Sequence, residues 1–291
     1  MQVEGDKGRV LVTGIRGMLG SEVCPALAEA GWSVIAADLA EFDISEAAAA
    51  RRFVEDASPV AIVNCAAYTD VDGAEDEEPL AFRVNEQGAR NIAEAAATVG
   101  AALLHVSTDY VFDGSKGTPY SEEDVPNPIN VYGASKLAGE IAVREVLSAH
   151  YICRSAWLYG VHGKSFPAAM LRLAEEGRPL RVVADQTGNP TYTRHLARAL
   201  ATIIERPLYG TYHVVNTGSA TWYELALEVF RSAKLTVDVT PISAADYPTK
   251  ARRPRNSALS TGKLSTRYGC SLPDWRAGVA DFVRRWRGER A

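Results

Sequence analysis

The chain has 291 residues, 47% hydrophobic and 23% charged, an ordinary globular composition long enough to bury a sizeable core in one large or two smaller domains. A net charge of −5 argues against a protein that coats nucleic acid or lies on an acidic membrane surface, since either would read basic. The four cysteines (Cys24, Cys65, Cys153, Cys270) form no CxxC pair, no apolar run approaches ~18 residues and Met1–Arg9 is polar, so we expect a cytoplasmic protein with no disulfide framework, metal site, signal peptide or membrane span.

In chain order, Arg9–Thr13 reads as a β-branched strand, Gly14–Gly20 as a glycine loop and Leu19–Ala30 as an amphipathic helix. Ser33–Ala37 is a second strand, Ser45–Ala57 a helix that Ser45 can cap, and Val60–Asn64 a third strand. Pro79–Val99 reads as one long helix with proline in its first turn. Ala101–Ser107, the helix Val131–Leu147 and the strand Tyr151–Arg154 complete an alternation of strands and helices. Such alternation predicts an α/β fold with a Rossmann-type, doubly wound parallel sheet. Beyond Arg154 glycines and prolines punctuate the chain, with helices expected at Phe166–Glu176, Arg194–Glu205, Thr221–Ala233 and Asp274–Arg287. We therefore divide it into a dinucleotide-binding domain, residues 1–156, and a smaller mixed α/β substrate lobe, residues 157–291, with segments free to cross between them.

Gly14-Ile15-Arg16-Gly17-Met18-Leu19-Gly20 has the GxxGxxG pattern between a strand and a helix. Glycines there let the backbone approach a pyrophosphate, and the helix end offers free N–H groups. Asp38, at the end of the second strand, is placed to bond the ribose hydroxyls of NAD, whereas Arg16 would attract the 2′-phosphate of NADP. The two signals conflict, so dual use of NADH and NADPH is expected. Asp43 and Ile44 are candidates to flank the adenine. Tyr132 and Lys136 lie four apart and share a helix face. A nearby lysine cation is expected to lower the tyrosine pKa, so that Tyr132 donates a proton to a carbonyl oxygen as hydride reaches carbon.

The glycine loop and the Tyr-xxx-Lys pair together resemble the extended short-chain dehydrogenase/reductases over the whole chain. Four further stretches narrow the resemblance: Asn64–Glu75 (NCAAYTDVDGAE), Ser107–Gly114 (STDYVFDG), Arg154–Gly160 (RSAWLYG) and Asp185–Thr191 (DQTGNPT). The set is similar to the dTDP-4-dehydrorhamnose reductase family. That resemblance implies a catalytic Thr108, Tyr132 and Lys136, with Asn64, Ala66 and Ala67 along the cofactor. It also implies Thr69, Asp109 and Trp157 in the sugar pocket and Gln186 and Thr191 on the substrate side. The implied partner is a dTDP-linked 4-keto-6-deoxy sugar, held by a monomer or homodimer.

A 4,6-dehydratase would carry an acid pair after the threonine; here Thr108 is followed by Asp109 and then Tyr110. An epimerase and a non-catalytic NADP-binding subunit resembling the regulatory subunit of methionine adenosyltransferase remain as alternatives. Residues 1–156 carry 11 Lys and Arg against 25 Asp and Glu, and residues 157–291 carry 20 against 11. Within the basic half, the cluster Lys250, Arg252, Arg253 and Arg255 between prolines holds the expected diphosphate contacts, Arg253 and Arg255 foremost, because arginine matches phosphate oxygens bidentately. His105 reads as a buried neighbour rather than a base, and the acidic run Asp70–Glu78 as a solvated face.

Overall fold

In a computed structural model, which describes residues 7–177 and 179–289, the first half of the chain builds strand–helix units in the expected order. These are β1 (Arg9–Thr13), α1 (Gly20–Glu29), β2 (Ser33–Ala37), α2 (Ala47–Ala57), β3 (Ala61–Asn64), α3 (Glu78–Phe82), α4 (Gly88–Val99), β4 (Ala102–Thr108), α5 (Val131–Val146) and β5 (His150–Ser155). The N-terminal residues 1–6, read above as part of a polar stretch, lie outside the described residues. No helix among those described is long and apolar enough to cross a membrane.

β1 is buried beyond Arg9 and β3 along its length, as expected for strands covered on both faces. The sheet has six parallel strands in the order β2, β1, β3, β4, β5 and Gly210–His213. The chain leaves β1 for β2 on one side and reaches β3 on the other, so the strand order reverses between β1 and β3. A crevice opens at the carboxyl ends of strands at such a reversal.

Two expectations need correction. Ser45 does not cap α2: the helix starts at Ala47 behind Glu46, and the Ser45 N–H instead donates to Asp43 Oδ1 at 2.8 Å. The long helix expected over 79–99 is interrupted by a π-turn at Arg83–Gln87, between α3 and α4. The turn carries the buried Asn85 inward, where it accepts from Tyr68 N–H (2.9 Å) and donates to Tyr68 O (3.0 Å) and Ser135 Oγ (3.0 Å). It thereby ties the loop after β3 to α5. Helical periodicity cannot reveal a single extra residue in one turn.

The second half crosses between two packing regions. α6 (Phe166–Glu175) belongs to the smaller lobe, whereas α7 (Thr193–Ile203) packs Leu196 and Leu200 into the core beneath β1, with Val10, Val12 and Val23. The strand Gly210–His213 then extends the large sheet. α8 (Trp222–Ala233) returns to the smaller lobe, α9 (Gly262–Tyr268) covers the large sheet, and α10 (Trp275–Glu289) closes the smaller core around Leu225, Val229, Phe230 and Phe282.

Candidate active site

A cleft of about 770 Å³ opens at the carboxyl ends of β1 and β3 and runs to Trp157 and Trp222 of the second half. Its floor is the loop after β1. Gly14 has φ +71, and a Cβ there would sit 2.7 Å from the Ala66 nitrogen; a Cβ at Gly20 would overlap the Gly14 carbonyl. Only glycine permits this crossing of the β1 and β3 loops. No side chain caps the first turn of α1, which leaves its positive end open to an anion. The cradle fits a dinucleotide pyrophosphate.

Gly14, Arg16, Gly17, Met18, Leu19, Gly20, Asp38, Asp43, Ile44, Ala66 and Ala67 all line this end of the cleft. Asp38 accepts from the backbone N–H groups of Arg16 (2.8 Å) and Leu39 (2.9 Å). The carboxylate is thus fixed by the Arg16 backbone at the end of the glycine loop. Asn64 does not line the cleft. It is 1% exposed and turned inward, where its amide accepts from Thr13 Oγ1 at 2.7 Å and from Ala66 N–H at 3.2 Å.

The other end gathers Thr69, Thr108, Asp109, Tyr132, Lys136 and Trp157. Tyr132 stands in the first turn of α5, which Asn130 caps by accepting from Gly133 N–H at 2.7 Å. Thr108 hydrogen-bonds Tyr132, donates to Asp109 Oδ1 at 3.1 Å and accepts from Tyr110 N–H at 3.2 Å. Burial pushes the Tyr132 phenol up to about 12, against the opposing Thr108 hydrogen bond. The expected lowering by Lys136 is therefore reversed. Lys136 is itself buried, donates to Val106 O at 2.7 Å, and is lowered to about 8 by burial, with Glu140 opposing. Burial also raises the Asp109 carboxyl to about 7. Tyr110 packs edge-on against Tyr132 with ring centroids 6.0 Å apart, so no second carboxylate follows Asp109.

Trp157 adopts φ +45, a strained conformation for a bulky residue, and stacks on Trp222 with centroids 3.5 Å apart and planes 2° from parallel. Its indole lies against Gly188, where any Cβ would overlap it. Trp222, Arg83, Lys164 and Cys65 also line the cleft, and the sequence reading did not select them. The Tyr-xxx-Lys and glycine patterns announce themselves by local spacing. Trp222 follows the capping signature Thr221…Glu224, which marks a helix start but says nothing about a cleft.

Gln186, Thr191, Arg253 and Arg255 do not line the cleft. Thr191 is fully buried and donates its N–H to Trp157 O at 3.2 Å, so it supports Trp157 from behind. Gln186 is half-buried in the turn before Gly188. The Arg253 fork is engaged by Asp72, at 2.7 and 3.1 Å, and holds that carboxyl below its ordinary range. Arg255 is exposed, and its carbonyl accepts from Thr187 N–H at 2.8 Å. The acidic run is more than a solvated face: besides Asp72 on Arg253, Glu75 accepts from Val131 N–H at 2.9 Å and Asp76 pairs with Lys250. Among the described residues no group of three or more His, Cys, Asp or Glu gathers as a metal set.

A parallel sheet with a glycine cradle at its reversal and a threonine–tyrosine–lysine set at the far end of one cleft defines an extended short-chain dehydrogenase/reductase. The family model described as RmlD substrate binding domain matches residues 8–287. The chain is 42% identical to a dTDP-4-dehydrorhamnose reductase of Burkholderia thailandensis, over 95% of this chain and 98% of the relative. A crystal structure of dTDP-4-dehydrorhamnose reductase from Bacillus anthracis in complex with NADP superposes with a TM-score of 0.93 at 40% identity, covering 96% and 99% of the two chains. A Clostridium acetobutylicum ortholog superposes equally well, TM-score 0.93, at 37% identity, covering 96% of this chain and 99% of that one. The chain belongs to the dTDP-4-dehydrorhamnose reductase (RmlD) family.

Proposed function

We propose that the protein reduces the C4 keto group of dTDP-4-dehydro-β-L-rhamnose to give dTDP-L-rhamnose. The carrying observation is the hydrogen-bonded set Tyr132–Thr108–Asp109, with Lys136 beside it, at the end of a cleft whose other end is a pyrophosphate cradle. The residues that would hold NADPH or NADH are Gly14, Arg16, Gly17, Met18, Leu19 and Gly20 at the pyrophosphate, Asp38, Asp43 and Ile44 at the adenosine, and Ala66, Ala67, Tyr132 and Lys136 towards the nicotinamide. When bound, the reduced cofactor supplies the hydride to C4.

Tyr132, kept protonated by its raised pKa, donates its proton to the oxygen as negative charge develops there. Thr108 orients the phenol, and its single O–H, held by Asp109 Oδ1 in the free site, turns to the same oxygen when the keto sugar binds, which places a donor where charge accumulates. Asp109 anchors the Thr108 hydroxyl. Thr69 and Trp157 wall the sugar site, Thr191 backs Trp157, and Gln186 lies on the substrate side. Arg253 and Arg255 take the diphosphate, Arg253 after exchanging Asp72 for phosphate oxygens.

The test is a turnover assay with a dTDP-4-keto-6-deoxyhexose, following reduced-nicotinamide absorbance and reading product stereochemistry by NMR. Net cofactor oxidation with a rhamnosyl product supports the reading. Interconversion without net oxidation makes the protein an epimerase. Cofactor binding without any conversion makes it a binding subunit.

A further inference from the structure

Behind the cleft wall a line of buried polar side chains runs from β1 to α5: Thr13, Asn64, His105 and Lys136, each no more than 3% exposed. Its hydrogen-bond directions are determined by one group that can only donate. The Ala66 N–H lies 3.2 Å from Asn64 Oδ1, so that atom is the amide oxygen, and Thr13 Oγ1 donates to it at 2.7 Å. The Asn64 Nδ2 then faces His105 Nδ1 at 3.2 Å and donates to it. His105 Nδ1 must carry a lone pair. Burial first, and the Lys136 charge second, hold the ring well below its ordinary pKa, so it is neutral. A neutral imidazole with Nδ1 as acceptor bears its proton on Nε2.

That Nε2 sits 3.5 Å from Lys136 Nζ. An Nε2–H cannot accept from an ammonium. Of the three lysine donors, one goes to Val106 O at 2.7 Å, and the imidazole offers nothing to the others. The groups facing Lys136 are Glu140 on its own helix, Cys65 after β3, and His105 with the Val106 carbonyl from β4.

We propose that His105 is a positioning residue: its Nε2–H tautomer, imposed by Asn64, denies Lys136 a second core acceptor besides Val106 O and leaves the remaining ammonium donors to the cleft, towards Tyr132 and the bound ribose. The opposite tautomer would offer a second β4 acceptor beside Val106 O and take one of those donors out of the cleft. The inference rests on the reductase reading for its purpose, but the tautomer and its effect on cofactor binding can be measured without turnover. Lys136 is lowered to about 8 by burial, with Glu140 and Cys65 opposing.

The experiment uses ¹⁵N-histidine-labelled wild-type protein, alone and with NADPH, with His105 assigned by its loss in His105→Gln. A neutral Nε2–H ring that persists down to pH 5 is expected; an Nδ1–H ring or an imidazolium overturns the proposal. Asn64→Asp keeps both acceptor contacts but accepts from His105 Nδ1–H, which reverses the tautomer and lets Nε2 accept from Lys136. The pH at which NADPH affinity weakens is then expected to lie about one unit above that of the wild type. A reversed tautomer with an unmoved midpoint rejects the positioning role. Absence of keto-sugar turnover, with both results as expected, rejects the reductase reading alone.

Discussion

Tyr132 illustrates how a residue's neighbours decide its chemistry. A phenol near 12 is a poor base but a secure proton carrier, which suits a group that must donate to a developing alkoxide. Tyr132→Phe is expected to lower kcat by ~10²–10⁴-fold while NADPH affinity stays within about twofold, measured by steady-state turnover and fluorescence titration. Gly188 works by absence: its bare Cα receives the Trp157 indole. In Gly188→Ala, the Trp157 indole must shift off the new methyl group, so KM for the keto sugar should rise about tenfold, the kinetic equivalent of ~1.4 kcal/mol, with NADPH affinity unchanged. Tyr132 and Lys136 were legible because four residues along a helix define one face. Trp222 and Lys164 were not, because no local pattern says which cleft a loop or helix start will reach.

At the scale of elements, α5 is held where its first turn needs to be by a buried ion pair. Glu140 accepts from Arg154 of β5 at 2.8 and 2.7 Å and from Ser107 of β4 at 2.6 Å, and both charged partners are at most 2% exposed. Removing one partner leaves the other charged and buried. Glu140→Ala is therefore expected to destabilise the protein by ~3–5 kcal/mol in urea unfolding. The α8 start depends on a smaller contact, in which Thr221 Oγ1 accepts from Glu224 N–H and the Glu224 carboxylate accepts from Thr221 N–H. Thr221→Ala should cost about 1 kcal/mol by the same measurement. The strands were readable as apolar runs of β-branched residues. The π-turn between α3 and α4 was not, since Asn85 is drawn inward by Tyr68 and Ser135, which are distant in sequence.

At the scale of the molecule, the acidic first half and basic second half partly neutralise each other across their contact: Asp72 with Arg253, Asp76 with Lys250 and Glu22 with Arg285. The Asp72–Arg253 and Asp76–Lys250 pairs retain solvent access and contribute little to stability, whereas Glu22 is buried beneath Arg285. Arg253→Ala is instead expected to raise KM for the dTDP-sugar, and an unchanged KM removes Arg253 from the diphosphate role. The buried His213, lowered to about 3 by burial, gives stability a pH dependence. Below pH 6.5 the unfolded chain takes up a proton that the native ring refuses. Stability therefore falls as pH drops from 6.5 towards 3, by up to about 1.4 kcal/mol per unit from this ring. His213→Asn should flatten that slope in urea titrations.

Strand order of appearance, the glycine cradle and the tyrosine–lysine face followed from the sequence by itself, because each depends on residues within one or two turns of each other. The cleft's second wall, the engagement of Arg253 by Asp72 and the inward turn of Asn64 came only with the tertiary structure. Each is a choice among partners far apart in the chain, and burial and geometry, which no local pattern encodes, make that choice.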